Sequence, residues 1–378
     1  MYHTPGTLSH TVFLRRPYVY YLDMMRRTEV KRRRQIGALT IIVAFILLAT
    51  PALFGEGQQE AAQTAGYSIA VFVPGVVEGS PTYEMLVDGV ERAAEEEENV
   101  TVRVVEGGFN QAAWEQGVTQ LASSGRYDLI VTSNPSMPEI CASVAESFPE
   151  QRFLVMDGYM DGNDAMHTVL FNQREQAYII GYFAGLVTSS SMEQVNEARR
   201  IGLLAGQEYP IMNDVILPGV QLGVETVVGD AEVDFRVLGN WHDAGKAAEL
   251  AADMYDRDAD VILTIAGGGN QGVIAAAREK SGYVLWYDAS GYEQAPGIVI
   301  GSSLVKQDIA TYERTRQAIR GDLTFGQAEI LGAGDGYVGF VTDSPHYLEH
   351  VPESIREEMA NMLQRFEDGE ISLEMPNL

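Results

Sequence analysis

Residues 261–288, VILTIAGGGNQGVIAAAREKSGYVLWYD, hold the densest set of groups that could do chemistry. Gly267, Gly269 and Gly272 fit G-x-G-x-x-G, and Asp288 follows about 20 residues on, where a dinucleotide fold keeps its ribose-binding acid. Glycines let backbone N–H groups approach a ligand, and a helix N-terminus offers partial positive charge. A carboxylate suits a pair of sugar or polyol hydroxyls. The stretch predicts binding of a hydroxyl-bearing small molecule and leaves open whether a reaction follows. The elements that would position these groups are a strand at 261–265, a helix at 273–280 and a second strand at 283–287, a β-α-β unit.

Other candidates sit in loops that follow apolar runs. Trp286 and Asp288 alternate on one strand, so one face would carry a flat indole wall beside a hydroxyl acceptor. Lys306, at a strand end, is one of three lysines beyond residue 55, which favours placement over decoration. Tyr83, behind Ser80-Pro81 at a helix start, is either a stacking face for a flat ring or an ordinary packed aromatic. Ser133 and Asn134 in SNPSMP could hydrogen-bond a ligand, or Asn-Pro could be plain turn chemistry. Tyr209, Met212 and Asn213 stand at a helix entrance, and Asn240-Trp241-His242-Asp243 follows a strand, with Asp243 readable as a cap. The glycine-rich GAGDGYVG at 332–339 reads as a crossover. No HExxH, GxSxG or P-loop occurs, no metal-ligand set is expected, and the enzyme case rests on Gly267–Gly272 alone.

From Tyr67 onward strands and helices alternate in two similar sets, one from Tyr67 and one from Arg200. That pattern predicts two doubly wound parallel-sheet lobes with a ligand cleft at the carboxyl ends of their strands. About ten strands are expected, including a strand pair around 328–341. At 378 residues the chain has room for both cores, and its single cysteine, Cys141, excludes a disulfide framework. Residues 1–55 run from a basic stretch through an apolar run at 36–48 to small residues and a polar spacer, the order of a secretory signal, with cleavage expected near Gly55. The 13 apolar residues are short for the ~20 needed to span a membrane. The expected address is the periplasm or cell envelope, with a membrane tether if the signal stays uncleaved.

The net charge is −27, and −33 beyond residue 55, because residues 1–55 hold 8 of the 26 basic and 2 of the 53 acidic side chains. Such a surface argues against nucleic acid or anionic lipid as partner. Acid excess with scarce lysine is also the expectation for a protein adapted to high salt. Equal stability in low and molar NaCl would rule that out.

Several separated stretches then carry a resemblance: YIIGYFAG (178–185), RIGLLAGQ (200–207), W-x-D-A (241–244), DVILTIAGGGNQGV (260–273), Tyr287-Asp288 and GSSLVK (301–306). In that order, over about 67–345, they resemble the basic membrane protein family, substrate-binding proteins of ABC importers that include purine nucleoside receptors. The resemblance implies a type I periplasmic binding fold of two lobes joined by three crossovers. It places lobe 1 at 67–171 plus 302–328 and lobe 2 at 172–301 plus 329–378. It also implies an acid at Asp288 on ribose hydroxyls, Gly267, Gly268 and Lys306 on the sugar side, and aromatics around the base, with Tyr83 near an expected phenylalanine; Trp241, in the matched W-x-D-A, is counted among the ligand-binding residues. The first loop, EGSPTYEML, departs from the nucleoside receptors' pattern, and Trp286-Tyr287 replaces their usual glycine-valine. SNPSMP, GQEYPIMN and GNWHDAGKAAELAA are similar to the riboflavin-binding branch. The expectation is therefore a monomeric importer subunit that carries riboflavin as transported ligand, without a cofactor, to an ABC permease. A purine nucleoside is the alternative, and an NAD-dependent oxidoreductase using Gly267–Gly272 is the alternative of another class.

Overall fold

The computed structural model describes residues 66–376. The expected signal segment lies outside them. The chain opens with β1 (Tyr67–Val73), α1 (Pro81–Glu95), β2 (Val100–Glu106), α2 (Trp114–Ser123), β3 (Leu129–Ser133), α3 (Met137–Ser147), β4 (Arg152–Met156) and β5 (Met166–Phe171). A long helix, α4 (Gln173–Thr188), leads into β6 (Arg200–Ala205), α5 (Leu217–Val227), β7 (Glu232–Val237), α6 (Ala244–Asp256), β8 (Ala259–Ile265), α7 (Asn270–Lys280), β9 (Tyr283–Trp286) and β10 (Val299–Val305). Then come α8 (Gln307–Arg320), β11 (Gln327–Leu331), β12 (Val338–Phe340), α9 (Pro345–His350) and α10 (Glu353–Glu367).

Two six-stranded sheets result, ordered β11-β5-β4-β3-β1-β2 and β12-β10-β9-β8-β6-β7. Their central strands read as continuous β-branched and apolar runs because helices cover both faces; LIVTS in β3 and ADVILTI in β8 are buried throughout. The edge strand β2 instead places Thr101 and Arg103 in solvent. The expected α/β class and two-lobed parallel architecture are what the chain adopts. Twelve strands are formed among the described residues. The expected pair around 328–341 does not pair with itself: β11 lies parallel to β5 in the first sheet, and β12 runs antiparallel to β10 in the second.

Strand membership locates the crossovers between lobes near residues 172, 306 and 332–337. The expected boundaries at 301/302 and 328/329 therefore fall inside β10 and β11 and move to the strand ends. The three crossovers lie together. Asn172 N donates to Leu331 O at 2.9 Å, and Lys306 N donates to Tyr337 O at 2.8 Å. The buried Glu175 carboxylate, on the first turn of α4, accepts from Ala333 N at 2.7 Å and Leu373 N at 3.2 Å. Helix α4 is capped by Asn172, whose Oδ1 accepts from Glu175 N. It is buried nearly all round because α5 crosses it at glycines: a Cβ on Gly181 would collide with Val220 O, and one on Gly223 with Tyr178 O.

Candidate functional site

The cleft between the lobes lies at the carboxyl ends of the strands and holds a cavity of about 70 Å³ that is partly open to solvent. Two carboxylates face it from opposite lobes. Asp157 directly follows β4, and Asp288 comes two residues after β9. Strands β4 and β9 occupy the same place in their two sheets, so the aspartates are equivalents. Both adopt the left-handed backbone region, φ 50° and 69°, which Asp tolerates better than most residues. That turn aims each side chain back over the sheet's end.

The first turn of α4 serves both acids. Gln173 Nε2 donates to Asp157 Oδ1 and Gln176 Nε2 to Asp288 Oδ1, each at 3.0 Å. Burial pushes the Asp157 carboxyl up to about 7, with the Asp288 charge adding to the effect and the Gln173 bond opposing it. Burial likewise raises Asp288 to about 6, against the Gln176 bond. Both aspartates are half-buried and line the cavity. Gln307 opens α8 as Gln173 does α4. Its Nε2 donates to Thr82 O at 2.7 Å and its Oε1 accepts from Ser133 Oγ at 3.3 Å. Phe171, Tyr209 and Tyr287 line the apolar part with Ile216, Ile265 and Val305. Burial raises the Tyr209 hydroxyl, and the charges of Asp288 and Asp157 raise it further, so this ring stays neutral beside the two acids.

Of the residues singled out in the sequence, Asp288 and Tyr209 line the cavity and Ser133 supports it from behind Gln307. Tyr83 lies nearby but is tied into its own loop: its hydroxyl donates to Pro74 O at 3.1 Å and its ring packs on Gly75. Its hydroxyl is raised to about 12, first by burial and then by the Asp157 charge, while an Asn134 bond lowers it. Asn134 is mainly turn chemistry, its Oδ1 accepting from Ser136 N at 2.9 Å. Met212 is buried in the core and Asn213 is exposed; the cavity residue of that segment is Ile216.

Three expectations need correction. Trp286 is no cavity wall. The strand ends at Trp286 and Asp288 turns left-handed, so the alternation expected to put both on one side stops. Trp286 is buried on the outer face of the sheet against Gly291, and Tyr287 faces the cavity instead. Lys306 is exposed at the start of α8 and lies outside the cavity lining; the next residue, Gln307, takes its place. Gly267 and Gly268 serve the neighbouring loop. Gly268 N donates to Trp241 O at 2.8 Å, and a Cβ on Gly267, at φ 57°, would sit 2.8 Å from the same oxygen. Gly272 lets α7 cross α6 at Ala244 O, where any side chain would clash. The glycine motif is thus consumed by packing within lobe 2. Trp241, 38% exposed, lies over Gly206 with its ring 6.2 Å from that of Tyr209, beside the cavity. Asp243 is a cap, accepting from Lys246 N at 3.0 Å.

Sequence reasoning missed Asp157, Gln173, Gln176, Gln307 and Thr82. Asp157 had a readable signal, an acid ending an apolar strand just as Asp288 does. The glutamines had none beyond their place at helix starts. Among the described residues no helix is long and apolar enough to cross a membrane.

The chain is similar to several known proteins. A CD4+ T-cell-stimulating antigen of Listeria monocytogenes is 23% identical over 263 residues, 65% of this chain and 70% of that protein. The ABC transporter nucleoside-binding protein BmpA of Lactococcus lactis is 25% identical over 201 residues, 45% of this chain and 54% of that protein. Among solved structures, an ABC transporter solute-binding protein from Aeropyrum pernix superimposes with a TM-score of 0.69 at 23% identity, over 82% of this chain and 94% of that one. The family described as ABC transporter substrate-binding protein PnrA-like matches residues 67–370, and the chain belongs to this basic membrane protein family of substrate-binding proteins.

Proposed function

We propose that the protein captures a nucleoside-class ligand, a flat nitrogen heterocycle carrying a polyhydroxylated sugar, and delivers it to an ABC permease. The carrying observation is the pair of carboxylates, Asp157 and Asp288, brought from opposite lobes to one cavity by Gln173 and Gln176. Acceptors on both lobes match a ligand rich in hydroxyl and N–H donors, and such a ligand would hold the lobes together. Phe171, Tyr209 and Tyr287 supply ring faces. The nucleoside-binding relative from Lactococcus lactis supports the same class. The family's role implies a small-molecule ligand and a permease partner rather than a reaction. Export to the periplasm or cell envelope and action as a monomer complete the reading.

Riboflavin is the second reading. It loses the Trp286 wall but keeps support from the Tyr209–Trp241 pair, which could extend a platform for a wider ring system. Tryptophan fluorescence of the purified protein, titrated separately with inosine, guanosine, adenosine and riboflavin, tests both. Saturable binding of a nucleoside with no response to riboflavin is expected. Riboflavin alone would reverse the order, and silence from all four would refute the ligand class.

A further inference from the structure

On the outer side of lobe 2, His346, Glu349 and His350 occupy the short helix α9. The i, i+4 spacing of two histidines puts their imidazoles on one helical face, a turn apart. Their rings lie parallel, 6.4 Å between centroids and 16° between planes. One donor atom from each of the three side chains lies within 4.8 Å of the other two. A fourth donor arrives from a different element. Glu293, in the loop between β9 and β10, places Oε1 3.3 Å from His346 Nε2. The same loop makes room at Gly297, where a Cβ would come within 3.2 Å of His350 Cε1.

Among the described residues neither Glu293 nor Glu349 pairs with an arginine or lysine, although arginines elsewhere are heavily used in ion pairs. His346 Nδ1 is buried without a hydrogen-bond partner. Two imidazoles and two carboxylates free of cationic partners form the donor set of a borderline divalent metal. Mg²⁺ and Ca²⁺ instead prefer oxygen-only shells.

We propose that His346, Glu349 and His350, with Glu293 beside His346, bind a divalent transition-metal ion of the zinc class. The ion would clamp α9 to the loop 289–298. That loop follows directly on Asp288, so the clamp holds a segment whose inner end meets the cavity. The inference stands apart from the identity of the transported ligand.

The test is titration of the full chain, freed of metal with EDTA, with ZnCl₂ by calorimetry, repeated with Co²⁺ to read its visible bands. His350→Gln, His346→Ala and Glu349→Gln are compared with His242→Ala as control. The expected result is a site whose affinity falls more than about tenfold in each of the three variants and stays unchanged in the control, because each variant removes one ligand. Glu349 is 70% exposed, so its replacement by Gln leaves the fold intact and a loss there reports on metal alone. No uptake by the unmodified chain, or uptake that all three variants retain, would overturn the proposal.

Discussion

The two lobes share one strand order, β2-β1-β3-β4-β5-β11 against β7-β6-β8-β9-β10-β12, and each ends its fourth strand in a left-handed aspartate at the cleft. Their helices differ. In lobe 1, α8 packs on α1 across one glycine, Gly89, whose Cβ would approach Asp308 O. In lobe 2, α4 and α5 interlock through Gly181 and Gly223, where a Cβ on either glycine would strike backbone atoms of the other helix. Helix α4 also holds both cavity acids through its first turn, whereas α8 reaches only Thr82 and Ser133 of lobe 1. A repeated topology delivers like groups to like places, and the crossover helices make the copies unequal. Lobe 2 should be the rigid frame and lobe 1 the partner that docks on it.

The largest expected effect tests that rigidity. Gly223→Val drives a branched side chain into Tyr178 O and Tyr182 N, backbone atoms that cannot turn aside. Urea unfolding should show a loss of about 3 kcal/mol or more, the upper range of overpacking. A loss below about 1 kcal/mol would mean that the helices can separate at little cost and would break the comparison.

The next effect separates the two acids. Asp288, raised to about 6, is mostly ionised at neutral pH, while Asp157, raised to about 7, is near half-protonated. Asp288→Ala should weaken ligand binding more than tenfold, the loss of a charge-assisted acceptor worth roughly 1.5–3 kcal/mol. Asp157→Asn should cost about 1 kcal/mol, since a neutral group is replaced in half the molecules already. Calorimetry with the ligand found by fluorescence decides, and equal losses would show that the lobes contribute symmetrically.

The same acids predict a pH dependence of stability. Both lie above the ordinary aspartate value of 3.8 in the folded protein. Between about pH 4 and 7 the folded state therefore holds protons that the unfolded chain has released, and stability falls as pH rises. The contribution is complete below about pH 4 and is lost through 6 to 7. Glu329, held down to about 2 by His167 and then Arg314, acts in the opposite sense, its stabilisation present above 4.5 and lost as pH falls through 2. The paired variant Asp157→Asn/Asp288→Asn should raise the Tm at pH 8 and leave it unchanged at pH 4. A rise of the same size at both pH values would show that protonation is irrelevant.

The fold was legible because the periodicity lies in the sequence itself: apolar strand, turn, amphipathic helix, twice over. Asp288 was legible for the same reason, as an acid closing such a strand. Trp286 was misread because alternation holds only while the strand continues, and the chain leaves β geometry at Asp288 itself. The glycines at 267, 269 and 272 were misread because a close approach to backbone looks the same in sequence whether the neighbour is a ligand or Trp241 and Ala244. Gln173, Gln176 and Gln307 could not be found locally, since their partners lie up to 225 residues away and meet them only through the crossovers.

The smallest expected effect concerns the one-residue displacement at the second crossover. The resemblance to the family points to Lys306, yet its side chain is exposed at the start of α8, and Gln307 lines the cavity, held by Ser133 behind it and by Thr82. Lys306→Ala should change the ligand's dissociation constant by less than about twofold, within the range of an exposed charge. Gln307→Ala should cost about 1 kcal/mol or more, because Thr82 O loses its buried donor and the start of α1 its tie to α8. If the ordering reverses, the lysine swings inward on closure, and α8 then contributes to the ligand directly as α4 does through its glutamines. The two crossover helices would be functional equivalents after all, and the asymmetry between the lobes would reduce to their glycines.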